Sequence, residues 1–169
     1  MIFSNAGLEG KTAVSADAIR LVRQTTLDYL EQHTVITLAT QGSLGLWAAA
    51  VFYASEKYDI YFISAGHTRH AQNMAETHQV AGTIQEDYHD WAAIKGIQLE
   101  GFVELLSGPA KERAITIYGD KYPLIKAANG PIQSALEDMN WYRLAPERVY
   151  LVDNSKGFGH RDVVELVDA

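Results

Sequence analysis

The spacing of apolar positions changes along the chain, and each change marks an element. In residues 15–32, Ile19, Val22, Thr26, Tyr29 and Leu30 share one face at helical spacing, while Arg20, Arg23, Gln24 and Glu31 take the other. Ser15 or Asp17 caps this helix. Residues 34–41 are rich in β-branched side chains and predict a strand. Residues 46–54 predict a second, and their unbroken apolar run reads as a strand buried on both faces. Residues 58–64 form a third, joined to it through Ser55-Glu56-Lys57.

Beyond Ser64 the period switches. Ala65-Gly66-His67 breaks the strand, and Thr68 opens a short helix reaching Thr77, with Ala71, Met74, Ala75 and His78 inward. Residues 79–86 and 96–107 alternate as fourth and fifth strands, separated by a loop that carries Trp91. Gly108-Pro109 starts a helix, since Pro suits its first position; Ala110, Ala114 and Ile117 supply its face and Gly119 ends it. A short helix is expected over residues 132–139, a sixth strand over 141–153, split near Pro146, and a final short strand within 162–167. Hairpins with helices between them predict an α+β fold with a mainly antiparallel, six-stranded sheet closed as a barrel and flanked by helices. Residues 1–14 show no period and read as an N-terminal arm; residues 15–169 read as a single domain.

Composition narrows the function classes. Of 169 residues, 47% are hydrophobic and 21% charged, as in a globular domain. Fourteen Lys and Arg against 21 Asp and Glu give a net charge of −7, which argues against binding nucleic acid by counterion release. Without cysteine there is no disulfide, thiolate nucleophile or Cys-ligated metal. Residues 32–55 carry no Asp, Glu, Lys or Arg, but Gly42-Ser43-Leu44-Gly45 divides them. The apolar run that follows is less than half of the roughly 20 residues a bilayer needs, so no membrane partner is expected. No signal peptide is visible, and a cytoplasmic address fits.

Several motifs are weaker than they look. Gly10-Lys11-Thr12 imitates the end of a P-loop, but Asn5 stands where the first glycine is needed. Gly157-Phe158-Gly159 starts like a dinucleotide fingerprint, yet Asp162 occupies the third glycine position and too little chain follows for a βαβ unit. His67, His70 and His78 surround one short helix without neighbouring carboxylates to complete a ligand set, so no metal is expected. No Gly-x-Ser-x-Gly elbow is present. The most informative stretch is Ser64-Ala65-Gly66-His67-Thr68-Arg69-His70, where a strand ends and a helix opens with hydroxyl, guanidinium and imidazole together. Free N–H groups at a helix start favour anions, and Arg69 suits a phosphate through paired hydrogen bonds.

The order of several segments is similar to that of the FMN-binding split-barrel superfamily typified by pyridoxamine 5′-phosphate oxidase. The resemblance covers residues 34–166. It rests on Leu38-Ala39-Thr40, Leu46-Trp47-Ala48-Ala49-Ala50-Val51-Phe52-Tyr53, Tyr61-Phe62-Ile63-Ser64 leading into Thr68-Arg69-His70-Ala71, Gly96-Ile97-Gln98-Leu99-Glu100-Gly101 and Tyr142-Arg143-Leu144-Ala145-Pro146-Glu147-Arg148-Val149. The tail from Asp153 to Gly159 resembles an uncharacterised bacterial branch of the same superfamily.

What the resemblance implies is a split-barrel flavoprotein: a homodimer with FMN at the subunit interface and oxidoreductase activity on an unknown small molecule. Thr68, Arg69 and His70 match the segment that holds the flavin phosphate, Ile63 and Ser64 the strand end beside the ribityl chain, and Ala49, Ala50 and Val51 the strand bordering the ring. His70 stands where the family has lysine, making that contact depend on pH. Gly96 stands where the oxidase has a flavin-contacting glutamine, and the oxidase's pyridoxal-phosphate-binding set is missing. No catalytic residue follows from the sequence. A deazaflavin coenzyme is an alternative cofactor. Haem is another, with His67, His70 or His160 as its ligand. A non-catalytic flavin-binding module is the remaining alternative.

Overall fold

A computed structural model describes residues 15–126, 136 and 138–166. The first helix, α1 (Ala16–Gln32), is capped by Ser15, whose hydroxyl accepts from the Ala18 N–H at 3.2 Å. Strands β1 (Val35–Gly42) and β2 (Gly45–Glu56) form a hairpin whose last pair is Gly42 with Gly45. Gly45 has φ of 85°, the left-handed conformation that this tight turn requires. β3 (Asp59–Ser64) returns from β2 and leads into α2 (Arg69–Glu76). β4 (Gln79–Gln85) and β5 (Lys95–Leu105) follow, then α3 (Gly108–Lys121), the single turn α4 (Pro123–Lys126), β6 (Asn140–Asp153) and β7 (Arg161–Val163).

Every strand pairing is antiparallel. The order is β3-β2-β1-β4-β5-β6, and a further β3–β6 pairing closes these six strands into a barrel. β7 lies on the same edge of β6 as β3, beyond the point where β3 ends. Ile36, Leu38, Ile60, Phe62, Ile84, Ile97 and Leu144 fill the interior, each at most 1% exposed. α3 covers the outside of the barrel over Ala54, Tyr61 and Trp141, contributing Ala114 and Tyr118.

The structure departs from the expected elements in five places. β6 is continuous past Pro146: the register slips at Glu100/Gly101, and Gly101 lies opposite Pro146 without a break in the strand. α3 runs through Gly119, which is buried, to Lys121. In α2, Asn73 is buried beside Ala71 and Met74, whereas Ala75 and His78 are exposed. Ala110 is exposed at the start of α3. In β2 only Tyr53 and Ala54 are buried, because the six residues of β3 cover just the far end of a twelve-residue strand. Residues 1–14, including Gly10-Lys11-Thr12, and nearly all of the helix expected over 132–139 lie outside the described residues. Among the described residues no helix is long and apolar enough to cross a membrane.

Candidate functional site

The mismatch between β2 and β3 opens the barrel along one seam. β2 pairs with β1 through residues 45–52 and with β3 only through residues 53–56. Among the described residues, 46–52 therefore have no strand partner on their second edge, and the backbone groups on that side face outward. Ala49, Ala50 and Val51 lie in this stretch. Ala49 and Val51 sit opposite the buried Leu38 and Ile36, on the barrel side; Ala50 sits opposite Thr37 on the outer side.

At the end of β3 three polar side chains converge. Thr68 has extended backbone angles and caps α2, its hydroxyl accepting from the Ala71 N–H. The Ser64 hydroxyl lies 2.9 Å from that of Thr68 and 2.6 Å from His70 Nε2, while Thr68 donates to the Ala65 carbonyl at 2.9 Å. Burial pulls the His70 imidazole below its ordinary pKa, so it is neutral at neutral pH. Ile63 packs instead in the cluster around Tyr118 and Trp141. The structure thus brings Ser64, Thr68 and His70 together.

Arg69 turns the other way, onto the β1–β2 hairpin. Its Nη2 donates to the Leu44 carbonyl and, at 3.4 Å, to that of Leu46, and its guanidinium carbon lies 4.6 Å from the Trp47 ring centroid. Arg69 Nε is buried and has no hydrogen-bond partner among the described residues. Asn73 and Glu76 continue this helix face. Asn73 Nδ2 donates to Thr40 Oγ1 at 3.2 Å and to the Gly45 carbonyl at 3.1 Å. Glu76 accepts from the Ser43 N–H at 2.5 Å and its hydroxyl at 2.7 Å, and these bonds hold its carboxyl below the ordinary range. A Cβ on Gly42 would lie 2.7 Å from Asn73 Oδ1 and 3.0 Å from Asn73 Cα, so only glycine lets α2 come this close. Sequence reasoning missed this three-residue lock. Its signal was the polar stripe at 69, 73 and 76, one helix face at i, i+4 and i+7.

Of the other residues weighed from sequence, His67 sits in the turn before Thr68 and the rest lie apart from this junction. Gln98, exposed on β5, accepts from Arg161 Nε at 2.9 Å. Gly96 is held to glycine by β4, since a Cβ there would lie 2.8 Å from the Ile84 carbonyl. His67 is exposed; His160 Nε2 pairs with Asp162 at 2.9 Å. Among the described residues no three His, Asp or Glu side chains are grouped to hold a metal.

The comparisons with known proteins agree with the barrel fold. Residues 22–153 match the family model described as pyridoxamine 5′-phosphate oxidase. A UPF0306 protein of Yersinia pseudotuberculosis is 30% identical over 135 residues, covering 79% of this chain and 86% of its own. Among solved structures, a heme binding protein of Mycobacterium smegmatis superposes with a TM-score of 0.65 at 22% identity, over 90% of this chain and 58% of that one. HutZ, the heme storage protein of Vibrio cholerae, does so at 0.63 and 18% identity, over 77% of this chain and 94% of its own. At these identities the two structures show a shared fold. On the family match and the Yersinia relative, this chain belongs to the pyridoxamine 5′-phosphate oxidase family, within the branch of the UPF0306 proteins.

Proposed function

We propose that this protein binds FMN in the seam between β2 and the start of α2, as a homodimer, and serves as an oxidoreductase on a small molecule. The observation that carries the reading is Arg69 Nε: a buried guanidinium N–H without a partner among the described residues, on the first residue of α2 after the Thr68 cap. A buried unpaired donor costs stability unless a ligand completes it, and a phosphate oxygen suits it. Thr68, Arg69 and His70 would hold the phosphate, Ser64 would keep His70 in place, and the free edge at Ala49, Ala50 and Val51 would border the ring. When bound, the flavin supplies the hydride or electron chemistry, and the protein supplies position and electrostatics.

The dimer reading rests on the outer face of the same strands. Val35, Leu46 and Phe52 are 39%, 76% and 59% exposed, and Ala39, Ala48, Ala50 and Ala81 lie exposed beside them. A nearly uncharged apolar face of this kind is what a second copy covers. Light scattering of the purified protein should give a dimer; a monomer at micromolar concentration overturns that part. The cofactor reading is tested by the visible spectrum of the protein as purified and by FMN titration. Flavin absorbance and saturable FMN binding are the expected result. The names of the M. smegmatis and V. cholerae structures favour haem as the second reading, and a Soret band without flavin absorbance would replace FMN by haem.

A further inference from the structure

The contacts at Ser64 determine where the hydrogens sit. The three short contacts join four groups in a row: His70 Nε2 to Ser64 Oγ at 2.6 Å, Ser64 Oγ to Thr68 Oγ1 at 2.9 Å, and Thr68 Oγ1 to the Ala65 carbonyl at 2.9 Å, while Ser64 to the Ala65 carbonyl at 3.4 Å and Thr68 to His70 Nε2 at 3.3 Å are too long to compete. Each needs one hydrogen between its heavy atoms. The carbonyl supplies none and the two hydroxyls supply one apiece, so the third comes from the imidazole, at Nε2. The ordering that satisfies all three runs from His70 Nε2–H to Ser64, from Ser64 to Thr68, and from Thr68 to Ala65. Thr68 Oγ1 stays free to accept from the Ala71 N–H, as the helix cap requires. With the proton on Nδ1 alone, two hydrogens would serve three contacts, and one pair of lone pairs would be pressed together in a part-buried site.

We propose that this chain locks His70 as the Nε2–H tautomer and presents a bare Nδ1, so that a phosphate monoester is held there only together with one additional proton. The proposal rests on the phosphate-binding reading given above. Nδ1 has no partner among the described residues and, unprotonated, is an acceptor. A phosphate dianion is also acceptor-only, so the two cannot bond until a proton joins one of them. Imidazolium with dianion and neutral imidazole with monoanion hold the same number of protons, so either way binding takes one up. A lysine at this position, as in the family pattern, would need none.

Among the described residues no other group on the elements packed against α2 supplies that proton. β1 and β2 pack against α2. β1 has no titratable side chain, and in β2 only Tyr53 and Glu56 titrate, at its far end. β3, which carries Ser64, has Asp59 at its opposite end and Tyr61 in the cluster under α3. Arg69 and Glu76 of α2 are engaged with the hairpin, and His67 is exposed in the preceding turn.

Two measurements decide the matter. Long-range proton–nitrogen NMR of the ligand-free protein should show His70 protonated at Nε2 with an unprotonated Nδ1, and Ser64→Ala should release it to a tautomer mixture. Protonation at Nδ1 overturns the proposal whether or not a flavin binds. Calorimetry of FMN binding at pH 7.5, in buffers of different ionisation heat, should show about one proton taken up per FMN in the wild type and none in His70→Lys. Over pH 6.5 to 8.5 the wild-type affinity should fall roughly ten- to a hundredfold, the worth of one charged hydrogen bond, while His70→Lys stays nearly flat. FMN binding without proton uptake overturns the proposal. If FMN does not bind at all, the flavin reading fails, and inorganic phosphate decides instead: it must raise the titration midpoint of His70, and no rise overturns the proposal.

Discussion

Arg69 lies over the ring of Trp47, its guanidinium carbon 4.6 Å from the ring centroid, and donates to the carbonyls of Leu44 and Leu46 that flank it. The side chain best suited to a phosphate is therefore also a clamp on the hairpin tip. It is half-buried.

Arg69→Ala should weaken FMN binding roughly ten- to a hundredfold, the loss of one charged hydrogen bond. Riboflavin, which has no phosphate, should lose less. Paired fluorescence titrations of wild type and variant check this. Equal losses for both ligands would leave Arg69 as the hairpin clamp alone. Tryptophan emission of the ligand-free variant should also shift, because the cation leaves the Trp47 ring.

Acid should destabilise the ligand-free protein through His70. Its folded pKa lies below the unfolded value, so as pH falls through about 6.5 the unfolded chain takes up a proton that the folded chain resists. Denaturant midpoints at pH 7.5 and 5.5 should fall further in the wild type than in His70→Gln, which keeps a donor for Ser64 but does not titrate. A smaller fall in the wild type would mean that the folded protein favours the imidazolium.

Gly101→Ala should be among the most damaging single changes. A Cβ there would lie 2.1 Å from the Ala145 carbonyl oxygen and 2.7 Å from Pro146 Cα, both main-chain atoms that cannot swing aside. Overpacking of this kind costs about 1–3 kcal/mol or more, and here it strikes the bulge where β5 pairs with β6. Thermal melts should show a clear drop in Tm; an unchanged Tm would mean that β6 shifts to make room.

Lys121→Met tests the far end of α1. The Lys121 ammonium donates to the Leu30 and His33 carbonyls at 3.2 and 2.5 Å and lies 4.4 Å from the Tyr53 ring centroid, closing the helix end that α1 leaves open. Its loss should cost about 1–3 kcal/mol, read from denaturant midpoints. Burial brings the ammonium down to about 8 from 10.5, so over that interval the unfolded chain binds more protons. The stability difference between wild type and variant should accordingly widen as pH rises from 8 towards 10.

The elements were legible because their signals are local. A helical face from Ile19 to Leu30, the Gly42–Gly45 turn and alternation in β4 and β5 each need only a few neighbouring residues to read. Ser64, Thr68 and His70 were legible too, since a strand end and a helix start bring near neighbours in sequence close in space. The family order pointed to the same barrel.

Tertiary structure decided which faces are covered and by what. The apolar run of β2 reads as doubly buried, yet β3 is too short to cover it, and that shortfall makes the seam. The direction of Arg69 depends on carbonyls some 25 residues back in the chain, and Gly42 matters only because α2 lands on it. Such contacts leave no periodic trace, because pairing partners and docking distances are set by the closed barrel and not by neighbours in sequence. Composition and local pattern determined what kind of chain this is and where its elements lie. Closure of β3 onto β6 decided which of those elements meet to build a site.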